Sequence, residues 1–151
     1  MKSLKEIINS NPVFMNDFEN EVDVACEFLG CLIDHNDYYG KSNMKSWKMD
    51  SFEEEKEKVD LFLKQKVNKI LFASYGNDSY WGDAFVLFEK DGKLFEVNAS
   101  HCSCFGLENQ WEEEEVELKE LEHRLINGTF GESYCFGNQF KEELKEFLGL
   151  K

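Results

Sequence analysis

Ala84-Phe-Val-Leu-Phe-Glu-Lys-Asp-Gly-Lys-Leu-Phe-Glu-Val97 reads as an apolar run, a two-residue turn and a second run rich in apolar residues. Asp91-Gly92 supplies the positive φ values that a type I′ hairpin requires. Such a turn sets Phe88 opposite Phe95 and Val86 opposite Val97. Ala84-Phe-Val-Leu-Phe88 is apolar on both alternating faces, as is Lys69-Ile-Leu-Phe-Ala-Ser-Tyr75. Both stretches predict strands well inside a small sheet.

Outward from this centre, the segment from Gly76 to Gly82 reads as a connecting loop, and the small polar residues from Ala99 to Trp111 read as another. Towards the N-terminus, Phe18, Val22, Ala25, Leu29 and Leu32 recur at three- and four-residue steps and share one face of an amphipathic helix. Val24, Phe28 and Cys31 fall on a further side, giving this helix more apolar perimeter than one core needs. A second helix is expected from Ser51, where Ser51-Phe-Glu-Glu54 has capping-box spacing, with Phe52, Val59, Phe62 and Leu63 as its buried face. Towards the C-terminus, a helix from Glu112 to Ile126 has Leu118, Leu121 and Leu125 as its spine and Asn127-Gly128 as its stop. The glycine-bounded stretch from Gly128 to Gly137 reads as a loop with a short strand, and a last helix from Gln139 to Leu148 packs Phe140, Leu144 and Phe147. The expectation is a single acidic α+β domain over residues 1–151. Residues 1–66 form its helical part, and residues 67–151 a small, mainly antiparallel sheet of about three strands with C-terminal helices.

A chain with 42% apolar residues, 14 Phe among them, can build a packed core. Its charge is unusual: 31 Asp and Glu against 17 Lys and Arg give a net charge of minus 14. Such a surface repels phosphates, which excludes direct nucleic-acid binding through a basic groove and favours a protein partner whose own surface is basic. The excess lies in two segments, both expected to be helical. Glu6 to Asp37 carries eight carboxylates without a Lys or Arg, and Glu108 to Glu122 carries eight against Lys119 alone. Glu19, Asp23 and Glu27 line one stripe, and Glu112, Glu113, Glu114 and Glu115 are consecutive. Together with Tyr80 and Trp81 of the Gly76 to Gly82 loop, these are the candidate partner-binding residues. The sequence gives no sign of an oligomeric state.

No run of about 18 apolar residues occurs, and the N-terminus lacks a secretory signal pattern, so a cytoplasmic protein without a membrane partner is expected. Five cysteines without such a signal argue for reduced thiols. The reactive cluster His101-Cys102-Ser103-Cys104 could serve a zinc ion only with Cys135 or Cys26 completing the set. It has no second ligand pair of the usual spacing, and adjacent His and Cys rarely reach one ion. A thiol nucleophile at Cys102 or Cys104, activated by His101, His35 or His123, would need a cationic neighbourhood where the sequence is acidic. The expectation is therefore no cofactor, no assigned catalytic residue, and thiols that pack as small apolar groups. The alternative is a small thiol- or metal-dependent enzyme using that loop.

Tyr80-Trp-Gly-Asp-Ala-Phe-Val-Leu-Phe-Glu-Lys-Asp-Gly-Lys-Leu-Phe-Glu-Val-Asn98 and Ser100-His-Cys-Ser-Cys-Phe-Gly-Leu-Glu-Asn-Gln-Trp111 resemble a family of small uncharacterised proteins encoded by bacteriophages and mobile elements. The resemblance covers residues 69–148. It implies no catalytic residues, and this chain has Glu113 where the family often has a proline. A small acidic phage-type protein without a catalytic motif is expected to be an inhibitor. Its target would be a host protein such as a nucleic-acid-handling defence effector, blocked as anti-CRISPR proteins block theirs. Carboxylates would occupy a groove built for phosphates.

Overall fold

The computed structural model describes residues 1–40, 46–77, 81–102, 105–133 and 137–150. At its centre β3 (Trp81–Lys90) turns into β4 (Lys93–Cys102) through Asp91 and Gly92, whose φ angles are 55° and 78°. Phe88 pairs with Phe95 and Val86 with Val97, in the register that the Asp-Gly turn imposes. The two phenyl rings stack with centroids 5.5 Å apart. β2 (Lys69–Tyr75) lies antiparallel on the other side of β3.

The fold is α+β, but the sheet has five strands in the order β1-β2-β3-β4-β5, which corrects the expected count of three. β1 (Val13–Asn16) runs parallel to β2, and a parallel pair needs a crossover connection. That connection consists of α2 (Glu21–Leu29), α3 (His35–Tyr38), α4 (Ser46–Met49), α5 (Phe52–Leu61) and a π-helical turn over Phe62–Lys66. β5 (Glu114–Glu115) pairs with β4 on the opposite edge. α1 (Leu4–Ile8) precedes the sheet, and α6 (Leu118–Asn127), β6 (Glu132–Ser133), β7 (Asn138–Gln139) and α7 (Lys141–Leu148) follow it.

Side chains alternate between the faces of β3, and both faces are covered. Phe85 and Leu87 pack with Leu121 and Leu125 of α6 and with Phe140, Leu144 and Phe147 at α7. Val86 and Phe88 pack with Val24 and Phe28 of α2. The surplus apolar perimeter of α2 has a use, because its Val22, Ala25 and Cys26 enter a further cluster with Val59 and Phe62. Trp111 joins these layers, within 5.2 Å of the rings of Phe28, Phe62 and Phe88.

Four local expectations are corrected. Leu32 is 54% exposed, because Gly30 adopts the left-handed conformation (φ 68°) and ends α2 before that residue. Ser51 makes no capping bond: with φ −109° and ψ 1° it lacks the extended backbone that turns an N-cap side chain onto the free amides. Ala99 to Cys102 continue β4 as strand, paired with Ala84 to Trp81. The helix expected from Glu112 starts at Leu118, because Glu117 is extended (φ −97°, ψ 150°) and the residues before it complete the sheet.

Candidate functional site

The N-terminal acidic stripe is tied into the structure. Asn20 caps α2 by accepting from the amides of Val22 and Asp23. Asp23 in turn accepts from the Glu19 backbone at 2.8 Å and lies 2.7 Å from Nδ1 of His35. The other ring nitrogen of His35 is 3.1 Å from the Glu19 carboxylate. The hydrogen bond to Asp23 is the main cause that raises the His35 pKa, with the charges of Asp23 and Glu19 adding to it. Among the described residues this trio is also the group whose ligand atoms gather closely enough for a metal ion, within 4.8 Å of one another. Its geometry is that of an imidazolium held between two carboxylates, one at each nitrogen.

Glu27 stands one turn beyond Asp23 on α2 and is exposed. Desolvation raises its pKa, and the nearby charge of Glu108 raises it further. Glu108 itself sits under Gly30 and Gly106, where a Cβ would come within 2.4 Å and 2.7 Å of it. The hydroxyl of Tyr75 is pushed up to about 12 by burial and then by the charges of Glu27, Asp17 and Glu108.

The second acidic segment is placed differently. Glu112, Glu113, Glu114 and Glu115 are all exposed, and Glu114 and Glu115 form the edge strand beside Glu96 and Phe95. Their one described ion pair is a 4.0 Å approach of Lys93 to Glu115. They stand on an extended edge instead of the expected helix.

Of the aromatic candidates, Trp81 is 58% exposed at the start of β3, and Tyr80 lies outside the described residues. Tyr75 instead stacks on His101, with rings 4.4 Å apart and 4° from parallel. His101 is buried, and its Nε2 is 2.7 Å from the Gly76 carbonyl, so that nitrogen donates to the backbone. Gly82 permits the arrangement, since a Cβ there would lie 2.0 Å from that carbonyl oxygen and 2.2 Å from the ring nitrogen.

His101 and Cys102 are successive residues of one strand and so project to opposite faces; they do not converge on one ion or one reacting atom. Cys104 and Cys135 lie outside the described residues. Cys26 is in the helical cluster, where its hydrogen bond with Cys31 and then burial push its thiol pKa up. The same bond lowers that of Cys31. His35 is held by Asp23 and Glu19, and His123 contacts Asn127 on the exposed side of α6.

Sequence reasoning missed the polar end of the sheet. Asn16 donates to Ser74 at 2.6 Å, and Ser74 donates to Asn138, so that β1, β2 and β7 are joined by side chains. Gly76 lets Asn138 approach, since a Cβ there would lie 2.3 Å from the Asn138 side chain. Glu96, buried on β4, is gripped by both terminal nitrogens of Arg124, whose guanidinium lies 4.6 Å from the centre of the Phe130 ring. Next to this pair opens a cleft of about 520 Å³. The local signal was weak: isolated polar residues in apolar strands, from four distant segments.

No protein-family profile, curated protein or solved structure matches the chain. Among the described residues no helix is long and apolar enough to cross a membrane.

Proposed function

We propose that the protein is an acidic phage-type inhibitor that binds and blocks a host protein with a basic surface, a nucleic-acid-handling defence effector, in the manner of anti-CRISPR proteins. The observation that carries this reading is the exposed row Glu112 to Glu115 on a sheet edge. Four like charges in one row attract a Lys- and Arg-lined groove and steer its approach. The same charges oppose strand addition at that edge, so the partner is met through side chains and not by backbone pairing. The phage context rests on the resemblance of residues 69–148.

The test is capture of proteins from a host lysate on the immobilised protein, alongside a variant with Glu112, Glu113, Glu114 and Glu115 all changed to Lys. The expected result is a basic nucleic-acid-binding protein retained by the wild type, released by salt, lost on the variant, and inhibited in its own activity by the wild type. Equal retention on both proteins, or retention without inhibition, would overturn the reading.

A further inference from the structure

The end of α2 folds Cys26 and Cys31 together. Gly30 takes the left-handed conformation after the last helical turn, and its amide reaches back to the Glu27 carbonyl at 3.4 Å. The Cys31 amide reaches the Cys26 carbonyl at 3.0 Å. These two reversed bonds make the double wrap of a helix stop, in which the residue after the glycine lies against the one four before it. Here those residues are Cys31 and Cys26, and their thiols are hydrogen-bonded to each other. Thiols already in contact need little backbone movement to close to an S–S bond of about 2.05 Å. The segment beyond the pair is fixed as well, because the Glu55 carboxylate on α5 accepts from the amides of Leu32 and Ile33.

The pair is asymmetric. Cys26 is buried with Val22, Ala25, Val59 and Phe62, whereas Cys31 is half-buried at the margin of that cluster. The bond from Cys26 holds the Cys31 thiol below its ordinary range; burial and Glu55 oppose this, and Lys58 assists it. The same bond pushes Cys26 up, followed by burial and by the charges of Cys31, Asp23 and Glu55. Cys31 is therefore the sulfur that gives up its proton, and Cys26 is the one that keeps it and donates. A more open thiolate backed by a protonated thiol is the arrangement of an attacking and a resolving cysteine.

We propose that Cys26 and Cys31 form a redox-sensitive clasp at the end of α2, which closes to a disulfide by exchange with a small-molecule disulfide. In the first step the Cys31 sulfur bonds to one sulfur of the small disulfide, whose S–S bond breaks and whose other half leaves as a thiolate. Cys31 then no longer carries the charge that kept the proton on Cys26. In the second step Cys26 passes its proton to the released thiolate, and its sulfur bonds to that of Cys31 and expels the remaining half. Two protein thiols are oxidised to one disulfide, and the small disulfide is reduced to two thiols. The closed clasp ties the last turn of α2 to the stretch leading into α3. It lies in the helical part and depends neither on the acidic edge nor on the partner proposed above.

The probe is oxidised glutathione, added at neutral pH to the folded, reduced protein. The product is alkylated, digested with trypsin without reduction and weighed. Residues 6–41 form one tryptic peptide that holds Cys26 and Cys31 and no other cysteine, so an internal bond is read there whatever occurs at Cys102, Cys104 and Cys135. The expected result is a peptide lighter by two hydrogens than its reduced form, restored by excess reduced glutathione. Cys26→Ser keeps a hydrogen-bond donor and lacks the resolving sulfur, so it should accumulate one glutathione on Cys31. Cys31→Ser should react at Cys26 at least about tenfold more slowly, because the remaining thiol is buried and protonated. Limiting iodoacetamide on the wild type reads the same order without any variant: Cys31 should be labelled at least about tenfold faster than Cys26. A peptide that stays at its reduced mass, a bond from Cys26 or Cys31 to another cysteine in place of the internal one, or labelling of Cys26 as fast as Cys31 overturns the proposal.

Discussion

In the N-terminal acidic segment Asp23 is engaged on two sides, by the Glu19 backbone and by His35, whereas in the C-terminal segment Glu112 to Glu115 stand exposed on a sheet edge. The two segments carry almost the same excess of carboxylates. What separates them is the neighbourhood that the fold supplies. The first borders α3 and the helical cluster, so its charges meet a histidine and backbone amides; the second borders only β4 and water. An acidic count in a sequence therefore does not distinguish carboxylates that hold the fold together from carboxylates left exposed.

Substitutions that treat the two segments alike should expose this difference. The largest effect is expected from Asp23→Ala, which strands the Glu19 amide and removes one partner of His35. Loss of such charge-assisted bonds costs about 1 to 3 kcal/mol, measurable by urea denaturation. A change below about 0.5 kcal/mol would show that the N-terminal carboxylates are as idle as the exposed ones.

Next in size is a pH effect. The folded-state pKa of His35 is raised above its ordinary 6.5, so the ion pairs with Asp23 and Glu19 contribute fully below that value. Their contribution is lost as pH rises through the folded-state pKa. The melting temperature of the wild type should accordingly fall more between about pH 6 and pH 9 than that of His35→Gln. Parallel curves for the two proteins would remove His35 from the account.

A smaller effect of opposite sign is expected at Glu27. Its pKa is raised from 4.5, so its ionised form opposes folding above that range, and the opposition vanishes as pH falls below 4.5. Glu27→Gln should raise the melting temperature slightly at neutral pH and leave it unchanged near pH 4. A lower melting temperature at neutral pH would mean that the carboxylate makes a stabilising contact.

The smallest effect belongs to the edge. Glu114→Gln with Glu115→Gln should alter stability by no more than about 0.5 kcal/mol, because exposed side chains away from caps and cores contribute little. A larger loss would place these residues among those that hold the sheet together.

Legibility followed sequence distance. The hairpin register was readable because Asp91-Gly92 is a strong local turn and the paired residues lie within seven positions of it. α7 was readable from its spacing, with Phe140, Leu144 and Phe147 buried. β1 was not, since four residues after Pro12 carry too little pattern and its partner begins more than fifty residues later. Glu114 and Glu115 were misread because glutamate favours helices and is depleted in strands. The open edge of β4 outweighed that preference. The cleft beside Arg124 was least visible, because Asp83, Asn98 and Ser100 look like ordinary interruptions of strands until Glu132 and Phe140 arrive from the far end of the chain.

By itself the sequence determined the α+β class, the central hairpin with its register, the two-sided burial of β2 and β3 and the concentration of charge in two segments. Each follows from residues close together in the chain, where turn geometry and side-chain periodicity act. Only the tertiary structure decided that the sheet has five strands, that His101 and Cys102 diverge, that Asp23 holds a histidine while Glu112 to Glu115 face solvent, and that a carboxylate-lined cleft forms beside Arg124. Those outcomes depend on which distant groups share a face or an edge once the chain has packed, and the polarity of a side chain says nothing about that until its neighbours are in place.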